Sequence, residues 1–289
     1  MIDSGPKIRI DKYLSKKYNE LNRSQISKKI KQGKLRINKQ IITKPSFQIN
    51  PEDKIQFETY QKNSSVIKLS RKPKIIYQDE NIIVIDKPPG LLVHSKGAEL
   101  EEETLADFVK KDIYFDKPTN RSGIVHRLDR ATSGVIVVAR NNKSLKHLQK
   151  QFQKRTVKKK YLAVVEGKLD QKSANIDMPI QRNPRKPQTF RVNNNGKPSQ
   201  TYYKVLKESP KHSLLELQPR TGRTHQLRVH LNAIGHPIVG DYLYNNNSSK
   251  DRMMLHAHAI EIYLPEEDNT RVFKSKIPSE FNKLMKNDV

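Results

Sequence analysis

The chain has 289 residues, which is enough to bury a sizeable core and to form two domains of unequal size. Its formal charge of +26, from 56 Lys and Arg against 30 Asp and Glu, predicts a polyanionic partner such as nucleic acid or an anionic membrane surface. The lack of cysteine excludes disulfides and thiolate metal sites, and no apolar run approaches the roughly 18 residues that a membrane-spanning helix requires.

The N-terminus has neither the apolar segment of a secretory signal nor the pattern of a transit peptide, so we expect a cytoplasmic protein with no membrane partner. No amphipathic segment supports the alternative of a basic peripheral membrane protein. Positive charge is in excess in residues 1–72, which hold 18 Lys/Arg and 6 Asp/Glu, and also in the rest of the chain. The polyanion should therefore contact both parts.

Residues 7–60 are predicted to form a compact unit of two helices followed by short strands. The first helix is expected near residues 11–18. The second has Asn22 as a candidate N-cap, Ile26 and Ile30 on one face, and Gly33 placed to end it in the left-handed conformation. A hairpin is expected with strands at residues 35–38 and 40–42, and residues 49–55 are expected to form a turn that enters another short strand.

Three segments of this unit resemble the alpha-L RNA-binding module found in a ribosomal small-subunit protein and in many RNA-modifying enzymes; they are residues 23–26, 33–38 and 44–46. The resemblance implies that cations of the second helix contact RNA phosphates, which gives affinity more than sequence choice. These cations are Arg23, Lys28 and Lys31. A basic helix is also typical of an ordinary solvated surface.

A polar segment at residues 63–73 is predicted to link an N-terminal domain at 1–62 to a larger domain at 74–289. In the larger domain, residues 81–86 have the pattern of a buried strand that stops at a Lys-Pro-Pro-Gly turn. Further strands are expected at residues 135–139, 161–165, 201–206, 213–217 and 260–264, and helices at 104–112, 142–154 and 224–234.

The predicted strands of the larger domain outnumber the helices and do not alternate regularly with them. This pattern favours an α+β fold, with a mainly antiparallel mixed sheet flanked by helices and loops, over a doubly wound fold. The small RNA-binding domain that precedes it is also predicted to be α+β.

Residues 126–134 place one acid, Asp129, between Arg127 and Arg130. Apolar residues at 123–125 and 135–139 flank the segment, so it is predicted to be a loop held between two buried strands, where chemistry tends to occur. An aspartate between arginines is also typical of an ordinary turn with surface ion pairs. The spacing alone leaves both interpretations open.

Four segments of the larger domain resemble the RluA family of pseudouridine synthases, which isomerise uridine within RNA; they are residues 87–91, 126–134, 160–167 and 220–241. The resemblance implies the family's reaction, in which the C1′–N1 bond of uridine breaks, the uracil turns over, and C5 bonds to C1′. Because that reaction involves no net oxidation and no group transfer, we expect neither a cofactor nor a metal.

The resemblance also implies the site residues. Asp129 matches the catalytic aspartate, which acts as a nucleophile at C1′ or as a base on a sugar proton. Arg223 matches an arginine that pairs with this acid and keeps it ionised, and Tyr161 matches a tyrosine that lies against the uracil. Arg127 matches an arginine that enters the RNA as the base flips out. The other expected substrate contacts are His126, Thr132 and Leu227.

Two functions are open at this point. The first is an RNA pseudouridine synthase that acts on large-subunit ribosomal RNA or a pre-ribosomal particle, as a monomer with no obligatory protein partner. Transfer RNA is the alternative substrate, since relatives with the same motifs act on it. The second function is a non-catalytic RNA-binding or ribosome-assembly factor. The joint presence of Asp129, Tyr161 and Arg223 favours the enzyme.

Overall fold

The computed structural model describes residues 8–18, 21, 23–58, 72–94, 102–115, 122–245, 252–265, 267 and 269–286. The chain divides into two compact units, one of Met1–Lys68 with Ser95–Glu102 and one of Leu69–His94 with Glu103–Val289. Most of the expected linker at 63–73 and the candidate N-cap Asn22 lie outside the described residues, so both stay predictions.

The smaller unit combines helices with two small antiparallel sheets, β1–β4 and β3–β2–β5. Its elements are β1 (Ile8–Arg9), α1 (Ile10–Lys17), α2 (Arg23–Lys31), β2 (Leu35–Ile37), β3 (Gln40–Ile41), β4 (Gln48–Ile49) and β5 (Ile55–Phe57). The helices pack against each other through Ile10, Leu14, Ile26 and Ile30, which are buried as their helical spacing predicts. Gly33 follows α2 with a φ of 78°, the predicted left-handed end.

An ion pair ties α1 to α2. The Asp11 carboxylate is buried and accepts hydrogen bonds from Arg9 and from Arg23, the latter at 2.8 Å. Burial opposes the charge of Asp11, but the hydrogen bonds from the two arginines outweigh it and lower the pKa of this carboxyl. Arg23 therefore stabilises the fold in addition to its expected RNA contact, whereas Lys28 and Lys31 lie on the exposed surface of α2.

The larger unit contains the remaining strands and helices of the described chain. They are β6 (Lys74–Gln78), β7 (Ile82–Lys87), α3 (Leu105–Val109), β8 (Ser133–Ala139), α4 (Asn142–Lys154), β9 (Lys158–Glu166), β10 (Ser173–Asp177), β11 (Ile180–Arg182), β12 (Phe190–Val192), β13 (Gln200–Glu208), β14 (His212–Pro219), α5 (Gln226–Ala233), β15 (Leu255–Tyr263), β16 (Thr270–Lys274) and α6 (Ser279–Lys286).

One sheet organises this unit. In the described residues it has nine strands in the order β10-β13-β14-β9-β15-β8-β7-β6, with β16 paired to β15, and every pair is antiparallel except β15 with β8. The predicted α+β fold with a mainly antiparallel mixed sheet is confirmed. β8 is buried along its whole length, because a core containing Leu105 of α3 covers one face and a core containing Leu148 of α4 covers the other.

Two sequence predictions in this unit need correction, and the β11–β12 hairpin is among the elements that the sequence analysis did not predict. Residues 123–125 are not a strand, because Gly123 turns the chain with a φ of 74° and only Ile124 forms a bridge, to Val138. The helix expected at 104–112 ends at Val109 and continues as a 3₁₀ turn. The β11–β12 hairpin was not predicted, because each of its strands is only three residues long, too short for a pattern to be identified.

Among the described residues, every helix is too short or too polar to span a lipid bilayer.

Candidate active site

The loop at residues 126–132 runs directly into β8. The backbone N–H of the buried Thr132 donates to the Asp129 carbonyl at 3.1 Å and closes a turn. Gly134 has a φ of 111°, and a Cβ at this position would lie 2.1 Å from the Ala257 carbonyl oxygen on β15. Glycine is therefore required where the two parallel strands meet, and this pairing fixes the backbone just after Asp129.

Lys87, at the end of β7, holds the other side of the loop. Its side chain is completely buried and Nζ donates to three backbone carbonyls, those of Pro88, Leu91 and Arg130, at 2.9, 2.9 and 3.2 Å. Burial lowers the pKa of Lys87 to about 7, while the negative charge of Asp129 acts in the opposite direction. The Lys-Pro-Pro-Gly turn and the Asp129 loop are thus joined through one ammonium group.

We expect the Lys87→Met substitution to lower the free energy of unfolding by about 3 kcal/mol, because it leaves buried carbonyls without a donor. Urea unfolding followed by circular dichroism measures the loss. The control is Lys146→Met on the exposed face of α4, which should change stability by less than about 0.5 kcal/mol. Equal effects of the two variants would contradict the anchoring role of Lys87.

A cleft of about 490 Å³ opens beside this loop. Among the described residues that line it, Asp129 is the only carboxylate, whereas the cations are Arg127, Arg155, Lys159, Arg220, Arg223 and Arg228. The cleft is therefore suited to a negatively charged ligand. It brings together all of the site residues predicted in the larger domain, namely His126, Arg127, Asp129, Thr132, Tyr161, Arg223 and Leu227.

Two side chains at the start of α5 face the Asp129 carboxylate. Arg228 Nη1 lies 3.3 Å from Oδ2, and His225 Nε2 lies 3.9 Å from Oδ1. Arg228 also binds the fully buried Asp241 through Nε and Nη2, both at 2.7 Å. Burial opposes the charge of Arg228, but the hydrogen bonds and negative charge of Asp241, with a smaller contribution from Asp129, raise its pKa.

The prediction that Arg223 pairs with Asp129 was wrong. Arg223 lines the cleft, but its Nε donates to the Pro198 carbonyl at 3.3 Å, and it is Arg228 that pairs with the acid. The physical reason is that Arg223 lies in the turn before α5, whereas Arg228 projects from the first turns of the helix and is anchored by Asp241. Both arginines belong to the segment 220–241. The signal that could have identified Arg228 was its position in the first turn of the helix.

His126 lines the cleft, but its ring is also used by the fold. Nε2 accepts a hydrogen bond from the Val137 N–H of β8 at 2.9 Å, and the ring stacks on Phe152 with centroids 4.8 Å apart. Burial, with a contribution from the positive charge of Lys159, lowers the pKa of His126 to about 3. The imidazole is neutral in the folded protein at physiological pH.

This shift predicts acid sensitivity. An unfolded chain binds a proton at His126 near pH 6.5, whereas the folded chain does so only near pH 3, so stability should fall as the pH drops through this window. The contribution of His126 to the loss between pH 7.5 and pH 5 is about 2 kcal/mol. Urea unfolding at both pH values should show that His126→Gln, whose amide can still accept from Val137, loses less stability than the wild type. If His126→Gln lost as much stability as the wild type between these two pH values, the lowered pKa of His126 would be contradicted.

Tyr161 lies in β9 and packs against the two cores that meet beneath the cleft. Burial and the charge of Asp129 raise the pKa of its phenol, which stays neutral. The neighbouring basic residues alternate along the strand: Lys159 lines the cleft, while Lys158 and Lys160 pair with Glu261 and Glu216. β9 thus presents one aromatic ring and one cation to the cleft.

The histidines near the cleft are engaged by protein groups. His230 contacts Thr201 Oγ1 and the Met178 carbonyl at 3.0 and 2.9 Å, and His256 contacts Ser133 Oγ at 2.9 Å. Among the described residues, no three His, Asp or Glu side chains are grouped so that they could hold a metal ion.

Comparison with known proteins relates this site to a family. The sequence model of the family described as RNA pseudouridylate synthase matches residues 81–233, which contain Asp129, Tyr161 and Arg228. An uncharacterized RNA pseudouridine synthase of Aquifex aeolicus is 35% identical, over 97% of this chain and 93% of the relative. The chain belongs to the RNA pseudouridylate synthase family.

A second curated relative and a solved structure carry the same enzyme name. A ribosomal large subunit pseudouridine synthase D of Borreliella burgdorferi is 34% identical over 95% of this chain and 87% of the relative. The solved structure of human RNA pseudouridylate synthase domain containing 1 superposes with a TM-score of 0.58 at 27% identity, over 76% of this chain and 86% of that structure. The predicted enzyme class is confirmed: the protein is an RNA pseudouridine synthase, an isomerase.

The N-terminal unit of the synthase is confirmed as the expected RNA-binding module. A model of the S4 domain, the family to which the alpha-L module belongs, matches residues 8–55. This match and the catalytic domain together agree with the RluA family indicated by the sequence motifs. RNA is therefore the partner of both units.

Proposed function

We propose that this synthase isomerises a flipped-out uridine of large-subunit ribosomal RNA, with Asp129 as the catalytic residue. The observation that carries the proposal is the isolation of Asp129, the only carboxylate among the described residues of a cleft that otherwise presents cations, an aromatic ring and apolar groups. The Asp129 side chain is 19% exposed, so a substrate can reach it while Arg228 binds its Oδ2.

The reaction can be followed atom by atom. Cleavage of the C1′–N1 bond leaves its electron pair on the uracil and an electron-deficient C1′. The Asp129 carboxylate assists this step, either by bonding to C1′ or by removing a sugar proton, and both roles require its ionised form. The uracil then turns over and C5 bonds to C1′. In the first role the bond from Asp129 to C1′ breaks in this step, and in the second Asp129 returns its proton to the sugar. The C5 proton then leaves, N1 takes up a proton, and atoms and charge balance without a cofactor or a metal.

The remaining cleft residues receive roles from their positions. Tyr161 offers a neutral aromatic face on which the free uracil can stack, beside the buried Leu227. Arg127 is exposed at the cleft next to Asp129, where its guanidinium can occupy the space that the flipped base leaves in the RNA stack. His126 and Thr132 hold the loop in place beside the substrate.

Phosphate binding is proposed for cations of both units. Lys159, Arg220 and Arg223 line the cleft of the catalytic unit, and Lys28 and Lys31 are exposed on α2 of the S4 unit. Such contacts supply affinity and register but no sequence information, which is consistent with one fold serving several RNAs.

We propose ribosomal RNA and not transfer RNA as the substrate, because relatives that align over most of this chain carry the names ribosomal large subunit pseudouridine synthase D and C. Transfer RNA is the alternative within the same reaction. The proposed enzyme acts in the cytoplasm as a monomer.

Pseudouridine mapping of total RNA from cells with and without this protein tests the proposal. The expected result is the loss of one or more pseudouridines from large-subunit ribosomal RNA, restored by the wild-type chain and not by Asp129→Asn. A change confined to transfer RNA would establish the alternative substrate. Restoration by Asp129→Asn would overturn the catalytic role of Asp129.

A further inference from the structure

A second group faces Asp129 besides Arg228. His225 precedes α5 with a left-handed φ of 57°, an uncommon conformation for a non-glycine residue, and this turns its ring toward the loop. Its Nε2 lies 3.9 Å from Asp129 Oδ1, which is within ion-pair range and longer than a hydrogen bond. Catalytic hydrogen bonds are often long in the free enzyme and shorten when substrate binds.

The hydrogen bonds around Tyr244 bear on which nitrogen of His225 carries the proton. The backbone N–H of Phe190 can only donate, and it lies 2.8 Å from the Tyr244 oxygen, which must accept. The hydroxyl proton of Tyr244 is then available for His225 Nδ1, at 2.8 Å. With Tyr244 as that donor, Nδ1 accepts, and in the neutral ring the proton is on Nε2, the nitrogen that faces Asp129.

Tyr244 is suited to this task. Burial raises the pKa of Tyr244 to about 12, so the phenol keeps its proton at physiological pH. Its ring also lies beneath Arg228, with the guanidinium carbon 5.0 Å from the ring centroid, and His225 packs edge-on against both Tyr244 and Phe190. The same tyrosine thus supports both groups that face Asp129.

We propose that His225 is a positioning residue for the reaction: Tyr244 holds it in the Nε2–H tautomer, and it directs that N–H at Oδ1 of Asp129 while Arg228 binds Oδ2. This inference rests on the proposed function, since it assumes that Asp129 is the reacting carboxylate. Fixing both oxygens would orient the carboxylate toward C1′ and prevent its rotation after the glycosidic bond breaks. The Phe190 N–H, which binds the Tyr244 hydroxyl, belongs to β12, so this strand supports the position of Tyr244 and through it that of His225.

The test is single-turnover pseudouridine formation, with enzyme in excess over total RNA purified from cells lacking the protein. Tyr244→Phe and His225→Leu should each slow the saturated rate by about 10- to 100-fold, the effect expected from misplacing a reacting group by about 1 Å. The enzyme concentration at half-saturation should not change. His225→Gln, whose amide can supply an N–H near the position of Nε2, should recover part of the rate.

Nitrogen NMR of the histidine-labelled full-length enzyme gives a readout that a merely structural role would not move. The resonances that disappear in His225→Gln identify this ring, which should show a protonated Nε2 in the wild type and a mixture of tautomers in Tyr244→Phe. A protonated Nδ1 in the wild type would overturn the inference even if a variant failed to fold.

Asp129→Asn, tested in the same assay, separates the two proposals. If Asp129→Asn is inactive while Tyr244→Phe and His225→Leu keep the wild-type rate, only the role of His225 is rejected. If Asp129→Asn remains active, the proposed function itself fails.

Discussion

Replacing Asp129 with asparagine should reduce pseudouridine formation by about 10⁴-fold or more. This is the upper end of the effect of removing a general base, and removing a nucleophile should cost at least as much. The amide has nearly the shape of the carboxylate, but it can neither attack C1′ nor remove a sugar proton. The fold should tolerate the change, because Arg228 keeps its two hydrogen bonds to Asp241. Product analysis of RNA after single-turnover incubation measures the loss.

RNA affinity should stay within about twofold in Asp129→Asn, because phosphate contacts supply most of the binding energy and none of the cleft cations is altered. The matched control is Asp170→Asn, an exposed aspartate outside the cleft, which should keep the wild-type rate. A large loss of RNA binding in Asp129→Asn would indicate that this residue organises the RNA surface instead of the chemistry.

The Arg228→Met substitution should damage both stability and activity. It leaves the fully buried Asp241 carboxylate without its cation, which costs about 3–5 kcal/mol of unfolding free energy. It also removes the cation that binds Asp129 Oδ2, so the variant that still folds should react about 100-fold more slowly or worse. Urea unfolding and single-turnover kinetics at saturating enzyme measure the two effects.

Arg223→Met is the informative comparison, since this arginine lies in the same segment and lines the same cleft without pairing with Asp129. It should change stability by less than about 0.5 kcal/mol and should instead weaken RNA binding, with a shallower salt dependence. Arg228→Lys should recover little of the stability and rate lost in Arg228→Met, because an ammonium cannot reproduce the forked guanidinium that binds Asp241 and Asp129 together. The opposite ranking of the two methionine variants would show that the sequence-based partner, Arg223, was right.

Local sequence signals were reliable where a pattern repeats within one element. The helix predicted at 142–154 matches α4 to the residue, and in the structure Asn141 caps it. The strands β7, β8, β9, β13 and β14 were found from continuous or alternating apolar residues. The β11–β12 hairpin was missed since each of its strands is only three residues long, and their pairing depends on the rest of the fold.

Composition and motifs by themselves determined that this protein binds RNA, that it belongs to a pseudouridine synthase family, and that Asp129 is the acid to test. Charge and residue identity are properties of the chain itself, so they can be read along it. Only the tertiary structure decided which groups lie beside that acid: Arg228 and not Arg223 pairs with it, His225 Nε2 lies 3.9 Å from its second oxygen, and Lys87 holds the loop. Asp129 and Arg228 are 99 residues apart, and their contact depends on how β8 and α5 pack, which no local pattern encodes.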